Sequence, residues 1–236
     1  MSGHSKWSTI KRAKAVTDAK RGAIFTKLGN LITIAAKEKG GDPDTNFSLR
    51  MAVDKAKQAN MPKDNIERAI KRGTGELSGE QIEELTYEGI GPANSQFIVK
   101  CLTDNKNRSA ANVRHIFAKY GGSLGAVAWN FEKKGVIRII DSRFPIADFE
   151  LELIDAGADD IKKEEEGTII YTKVEDLQKM EKFLDEKKIK TESADIEHIS
   201  KDEIKLNNED NEKVEKFIQE LEDCEDVSDY YTNIKD

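Results

Sequence analysis

Seven cations, Lys6, Lys11, Arg12, Lys14, Lys20, Arg21 and Lys27, face a single acid, Asp18, within the first thirty residues. Trp7 lies among them. Lysine and arginine displace condensed counterions from phosphates, and an indole stacks on a base or a ribose. Two readings of Trp7 stand side by side: a stacking platform, or the anchor of a small core. Each lysine taken singly reads as a solvated head on an apolar stem. On one continuous helix over residues 10–27, Lys14, Arg21 and Lys27 form no tight stripe, so the cations make a broad patch. Such a patch grips a backbone better than it reads base edges.

A second candidate is Asp104-Asn-Lys-Asn-Arg108, which joins an expected strand to an expected helix. Backbone amides at a helix start can hold an anion, with Lys106 and Arg108 assisting. The alternative is ordinary capping by Asn105, Asn107 or Ser109. The Gly121-Gly-Ser-Leu-Gly125 run lacks the Lys-Ser/Thr end of a phosphate loop. His4, His115 and His198 are far apart, and Glu164-Glu165-Glu166 flanks a hairpin as a solvated run. No spacing matches a metal set, a nucleophile elbow or a Cys/His constellation. The expectation is therefore a protein that is not an enzyme, with no catalytic residues, no metal, no cofactor and no small-molecule substrate.

The net charge of -7 conceals a split. Residues 1–75 hold 16 Lys and Arg against 7 Asp and Glu, residues 76–141 hold 8 against 8, and residues 142–236 hold 14 against 30. The split implies a head that binds polyanions and an acidic rear that orients it. Cys101 and Cys224 show no ligand spacing and fit a reducing cytosol. No apolar run is long enough to span a membrane. The N-terminus lacks the apolar stretch of a secretory signal, although a mitochondrial transit peptide shares its composition.

Positioning those residues takes two or three compact units in a chain of 236 residues. Residues 8–72 read as helices. The first is capped by Thr17, carries Ile24, Leu28, Leu31, Ile32 and Ala35 inward, and stops at Gly40-Gly41. The second starts near Asp44 or Thr45 and buries Leu49, Ala52, Val53 and Ala56. The third takes Pro62 in its first turn, buries Ile66, Ala69 and Ile70, and ends at Gly73. Residues 72–79 read as a hinge. The period then shortens to two. Strands are expected around Leu85–Tyr87, over Gln96–Leu102 and over Val127–Phe131, with a helix from Asn105 or Asn107 to about Tyr120. Residues 134–200 give β-α-β-β-α-β, the ferredoxin-like order. A helix over Glu209–Glu222 and a strand over Tyr230–Ile234 remain. They imply that 134–200 is inserted in an α/β domain made of 80–133 plus 201–236, behind a basic helical domain of 1–75. The expected fold class is α+β: an N-terminal helical bundle followed by two α/β ferredoxin-like domains, one inserted in the other.

The stretches Gly3-His-Ser-Lys-Trp7, Asp18-Ala-Lys-Arg-Gly22, Ile24-Phe-Thr-Lys-Leu28, Gly41-Asp-Pro43 and Asn65-Ile-Glu-Arg-Ala-Ile70 together resemble the YebC/PmpR family. So do Tyr87-Glu-Gly89, Asp104-Asn-Lys-Asn-Arg108, Val113-Arg-His115 and Gly121-Gly-Ser-Leu-Gly125. The resemblance spans residues 3–135 and implies three domains and regulation of gene expression in the cytoplasm. It implies as partner either double-stranded DNA, since members are usually labelled probable DNA-binding transcriptional regulators, or ribosomal RNA and tRNA on the ribosome. Mitochondrial relatives are translational activators of cytochrome oxidase, and some bacterial members resemble factors that assist synthesis through proline-rich stretches. Members usually carry several more residues after the glycine motif, whereas Gly125-Ala-Val-Ala-Trp129 runs straight on here.

Overall fold

The computed structural model describes residues 18–78, 81–139, 146–164 and 167–235, with the side chains of 18–21 and 146–148 outside that description. Along the chain come α1 (Asp18–Lys39), α2 (Phe47–Gln58), α3 (Lys63–Gly73), β1 (Glu83–Ile90), β2 (Gln96–Thr103), α4 (Lys106–Lys119) and the short β3 (Ser123–Leu124). Then follow β4 (Phe131–Ile139), α5 (Ile146–Asp155), β5 (Ala158–Glu164), β6 (Gly167–Thr172), α6 (Leu177–Glu186), β7 (Ser193–Ser200), α7 (Asn208–Asp223) and β8 (Val227–Thr232). One compact unit runs to Asn130 and resumes at Ser200; the other is Phe131–Ile199.

The head, α1 to α3, closes on small side chains: Ala35, Ala36, Ala52, Ala56 and Ala69 are buried around Ile32 and Leu49. Alanines bury little apolar area each, so polar ties matter more than in a leucine core. Asn46 is fully buried and supplies three of them. Its amide donates to the carbonyls of Ala35 (2.8 Å) and Gly40 (2.7 Å), and its oxygen accepts from the Leu49 amide (3.1 Å). One side chain thus ends α1 and starts α2. The expected start near Asp44 or Thr45 shifts to Phe47 because Asp42 claims that turn: the Asp44 amide bonds its carboxylate and the Asn46 amide its carbonyl. Pro62 stands just before α3, at its cap, instead of within the first turn. Gly73 closes α3 against α1, where a Cβ would fall on the Thr33 carbonyl and Ala36.

In the same unit, β1, β2, β3 and β8 form an antiparallel sheet of order β3-β1-β2-β8. Phe97, Val99 and Cys101 alternate along β2 and meet α4 through Phe117 and α7 through Phe217, so both helices cover one face. Phe97, Phe117 and Phe217 meet edge to face at 4.9–6.4 Å. Helix α1 also packs against β2 and β8. The expected strand over Val127–Phe131 is not one. Ala128–Asn130 is a 3-10 turn and β4 begins at Phe131. The cause is Glu88, whose carboxylate accepts both the Val127 and Ala128 amides (2.8 Å each) and takes those donors from any ladder. The C-terminal strand starts earlier than Tyr230, at Val227, and Ile234 makes only an isolated bridge to Ile204.

The second unit has sheet order β5-β6-β4-β7, with β4 and β5 both antiparallel to β6. Its chain order and strand order are those of a split β-α-β fold. Arg138 on β4 and Glu197 on β7 form a bidentate ion pair at 2.6 and 2.9 Å, with side chains 1% and 2% exposed. A helical head followed along the chain by four helices and two antiparallel sheets makes the protein α+β, as expected.

Candidate nucleic-acid interface

Seven of the sequence candidates carry no side-chain geometry. Lys6, Trp7, Lys11, Arg12 and Lys14 lie outside the described residues, and Lys20 and Arg21 fall on the first turns of α1 with side chains outside them. The remaining three are described, and each is engaged within the fold.

Lys27 is half-buried on α1, and its ammonium donates to the Glu222 carbonyl at the C-terminal end of α7 (2.5 Å). That is the negative end of a helix, where a cation is favoured. Burial nevertheless pulls the Lys27 pKa below its ordinary value, and the nearby Cys224, Glu222 and Asp223 offset this only in part. Lys106 pairs with Glu83 at 2.6 Å. Arg108 reaches Asp104 (2.8 Å) and Asp226 (2.7 Å), the latter 5% exposed. The two carboxylates hold the guanidinium well above its usual pKa, Asp226 most strongly. Asn105 caps α4 by accepting from the Arg108 amide at 3.0 Å, and Thr103 accepts from the Asn105 amide. The motif at 104–108 therefore fastens the start of α4 to the start of β8. Arg108 also shares a cleft of about 390 Å³ with Arg72, Asp104, Glu225 and Asp226, where the acids outnumber the cations. Such a cleft does not favour an anion.

Two of the other family motifs, those at Gly89 and Gly125, resolve into packing. Gly89 has no room for a side chain, because a Cβ would sit 2.5 Å from the Phe117 ring. Glu88 holds the turn after the glycine motif, and the Gly125 amide donates to its backbone carbonyl. His115 is exposed on α4.

A cationic surface that was not singled out in the sequence appears at one end of the head. Lys37 and Lys39 occupy the last turn of α1, Lys71 and Arg72 the last turn of α3. Gly73 packs on Thr33 and Ala36, and Gly41 on Ile70 and Thr74, so the two helix ends abut. All four cations are exposed, with Glu38 and Glu76 interspersed. The signal was present as basic residues just before each stopping glycine, but only the tertiary contact brings the two pairs together. Among the described residues no helix is long and apolar enough to cross a membrane, and no group of three or more His, Cys, Asp or Glu is placed to hold a metal.

Residues 5–76 match the model of the TACO1/YebC protein N-terminal domain, and residues 82–234 match that of the TACO1/YebC second and third domain. A probable transcriptional regulatory protein of Thermoanaerobacter pseudethanolicus is 48% identical over 240 residues, covering 100% of this chain and 97% of the relative. One of Bacillus licheniformis is 48% identical over 239 residues, covering 99% of this chain and 100% of the relative. The crystal structure of a conserved hypothetical protein from Aquifex aeolicus superposes with a TM-score of 0.82 at 40% identity, covering 94% of this chain and 93% of that one. Family models that together match nearly the whole chain, and relatives this similar along their full length, agree: the chain belongs to the TACO1/YebC family.

Proposed function

We propose that this protein is a non-enzymatic, nucleic-acid-binding regulator of gene expression, acting in the cytoplasm, whose helical head supplies most of the grip on the phosphate backbone. The observation that carries this is the placement of cations. Residues 1–75 hold 16 Lys and Arg against 7 acids, while residues 142–236 hold 14 against 30. Lys6, Lys11, Arg12, Lys14, Lys20 and Arg21 form the densest part, and the exposed end of α1 and α3 extends it. The names of the relatives point to transcription and hence to duplex DNA as the first reading.

A specific observation favours a second reading, a translation factor that binds ribosomal RNA or tRNA on the ribosome and assists synthesis through proline-rich stretches. The exposed face of α3 alternates Lys63, Asp64, Glu67, Arg68 and Lys71. Among the described residues no helix of the head presents an uninterrupted Arg, Asn and Gln set of the kind that reads base edges. If roughly five cations engage duplex DNA, log affinity falls with log salt at a slope of about -4 to -5. A regulator that reads an operator also binds it at least ~1000-fold more tightly than random duplex. Selection from random duplexes, run beside a sucrose-gradient ribosome profile, decides between the partners. The expected result is a steep salt dependence, little duplex preference and co-sedimentation with ribosomes. A sharp consensus with the protein confined to the top of the gradient selects transcription instead.

A further inference from the structure

Trp129 is 64% exposed. An indole buries a large apolar area when it finds a partner, so leaving most of it in water forgoes stabilisation. The turn that carries it is unusually well fastened for a surface segment. Glu88 accepts the Val127 and Ala128 amides, and the Asn130 amide donates to the Val127 carbonyl. The Asn130 side chain is buried; it donates to Gln96 (2.8 Å) and the Asp202 carbonyl (3.0 Å) and accepts from the Asp202 amide (2.8 Å). The Lys201 amide donates to the Asn130 carbonyl, and the Lys201 ammonium donates to the Trp129 carbonyl at 3.1 Å. The backbone on both sides of the indole is thus fixed before any partner arrives, which lowers the ordering cost of binding.

We propose that Trp129 is a stacking platform for an unpaired nucleobase, with Lys201 meeting the neighbouring phosphate; this rests on the reading that the protein binds nucleic acid. The surroundings fit that occupant. Residues 121–130 carry no ionisable side chain, and the Glu88 carboxylate is committed to two amides. The Lys201 ammonium sits at the Trp129 backbone carbonyl, and Gly121, Ser123, Gly125 and Ala126 leave a low, exposed surface along the preceding loop. Stacking needs one open ring face and no pocket, and every base offers such a face. A duplex keeps its bases paired and stacked inside, so the platform favours unpaired strands. Asp202, exposed next to Lys201, offsets part of its charge. The site therefore acts through stacking more than through counterion release, and its share of the affinity is insensitive to salt, unlike that of the head.

The chain has two tryptophans, Trp7 and Trp129, so W7F leaves Trp129 as the only indole. Full-length W7F is titrated with oligo(U), oligo(dT) and a duplex, following indole emission; because Trp7 is itself a candidate for binding, the anisotropy of labelled strands is followed in parallel with the wild-type chain and with W129A. The expected result is saturable quenching by single strands and none by duplex. W129A weakens single-strand affinity by about 5- to 150-fold, the range for loss of one base–aromatic stack. That factor stays the same at low and high salt, W129F retains most of the affinity, and duplex affinity does not change. Stronger quenching by oligo(U) identifies RNA as the natural source of the base, and by oligo(dT) DNA; either supports the site. Single strands that bind without quenching, or a W129A affinity equal to wild type, overturn the site while leaving the nucleic-acid reading intact. Failure of the wild-type chain, with both tryptophans present, to bind any of the three probes removes both.

Discussion

The cations at the start of α4 and those at the joint end of α1 and α3 look alike in sequence and are used in opposite ways. Lys106 and Arg108 face Glu83, Asp104 and Asp226, so their charge joins elements of the sheet domain. Lys37, Lys39, Lys71 and Arg72 stand at helix ends, where the helix dipole favours a cation, and of the four Arg72 also lines the acid-rich cleft that holds Arg108. The difference lies in what the fold brings opposite them. Asp226 is 118 residues from Arg108 and meets it only because β8 pairs with β2. No acid is brought within ion-pair distance of the four head cations among the described residues. A basic motif therefore becomes a phosphate ligand or a structural clip according to partners that sequence neighbours do not reveal.

The inward extreme is the Arg138–Glu197 pair of the second unit, and it gives the largest expected effect. Glu197→Ala in the full chain strands a guanidinium that is almost wholly buried and should cost about 3–5 kcal/mol. Replacing both partners by apolar residues of similar volume should cost far less. Denaturant melts of the single and double variants measure the contrast, and equal losses would refute a cost arising from the unpaired charge. Arg108→Ala comes next. It leaves the nearly buried Asp226 without its main partner and should cost about 1–3 kcal/mol, with nucleic-acid affinity unchanged. Lys37, Lys71 and Arg72 changed together to Gln should show the reverse pattern. Stability falls only by the lost dipole interactions, about 0.3–1 kcal/mol each. Affinity drops similarly on unrelated sequences, because phosphate contacts carry no base identity. An R108A variant that loses affinity while the triple variant keeps it would invert the comparison.

Much of the fold was legible in chain order. Helix stops at Gly40 and Gly73, the β-α-β-β-α-β run and the orphan α7 and β8 all follow from period and punctuation, because they are local. We propose on that basis that 134–200 is an autonomous insertion, and this segment expressed alone should melt cooperatively. The failures were tertiary. Val127–Phe131 has the composition of a strand, but Glu88, far back in the chain, takes two of its amides and turns it. Asp44 and Thr45 suit a helix start by type, yet Asp42 occupies their turn and it is Asn46 that reaches both helices. The candidate site was legible as a charge excess but not as a surface. Which lysines project and which are consumed depends on contacts between α1, α7 and the sheet.

Lys27 is the sharpest case, since it belongs by sequence to the N-terminal patch and by structure to the inward group. Its ammonium is desolvated against the end of α7, which lowers its pKa in the folded protein, while the unfolded chain keeps the ordinary lysine value of 10.5. Between the lowered value and 10.5 the unfolded state holds more protons than the folded one. Stability must therefore rise with pH across that window. The penalty of the buried charge is fully present below the folded pKa and is gone above 10.5. Lys27→Met removes the titrating group, so the stability of wild type relative to K27M should shift in favour of wild type as pH climbs through the window. Lys27→Arg keeps its charge throughout and should show no such rise. Thermal melts of the three proteins at stepped pH make the comparison. Parallel wild-type and K27M profiles would show that Lys27 is solvated in the folded state, and would return it to the outward-facing phosphate patch.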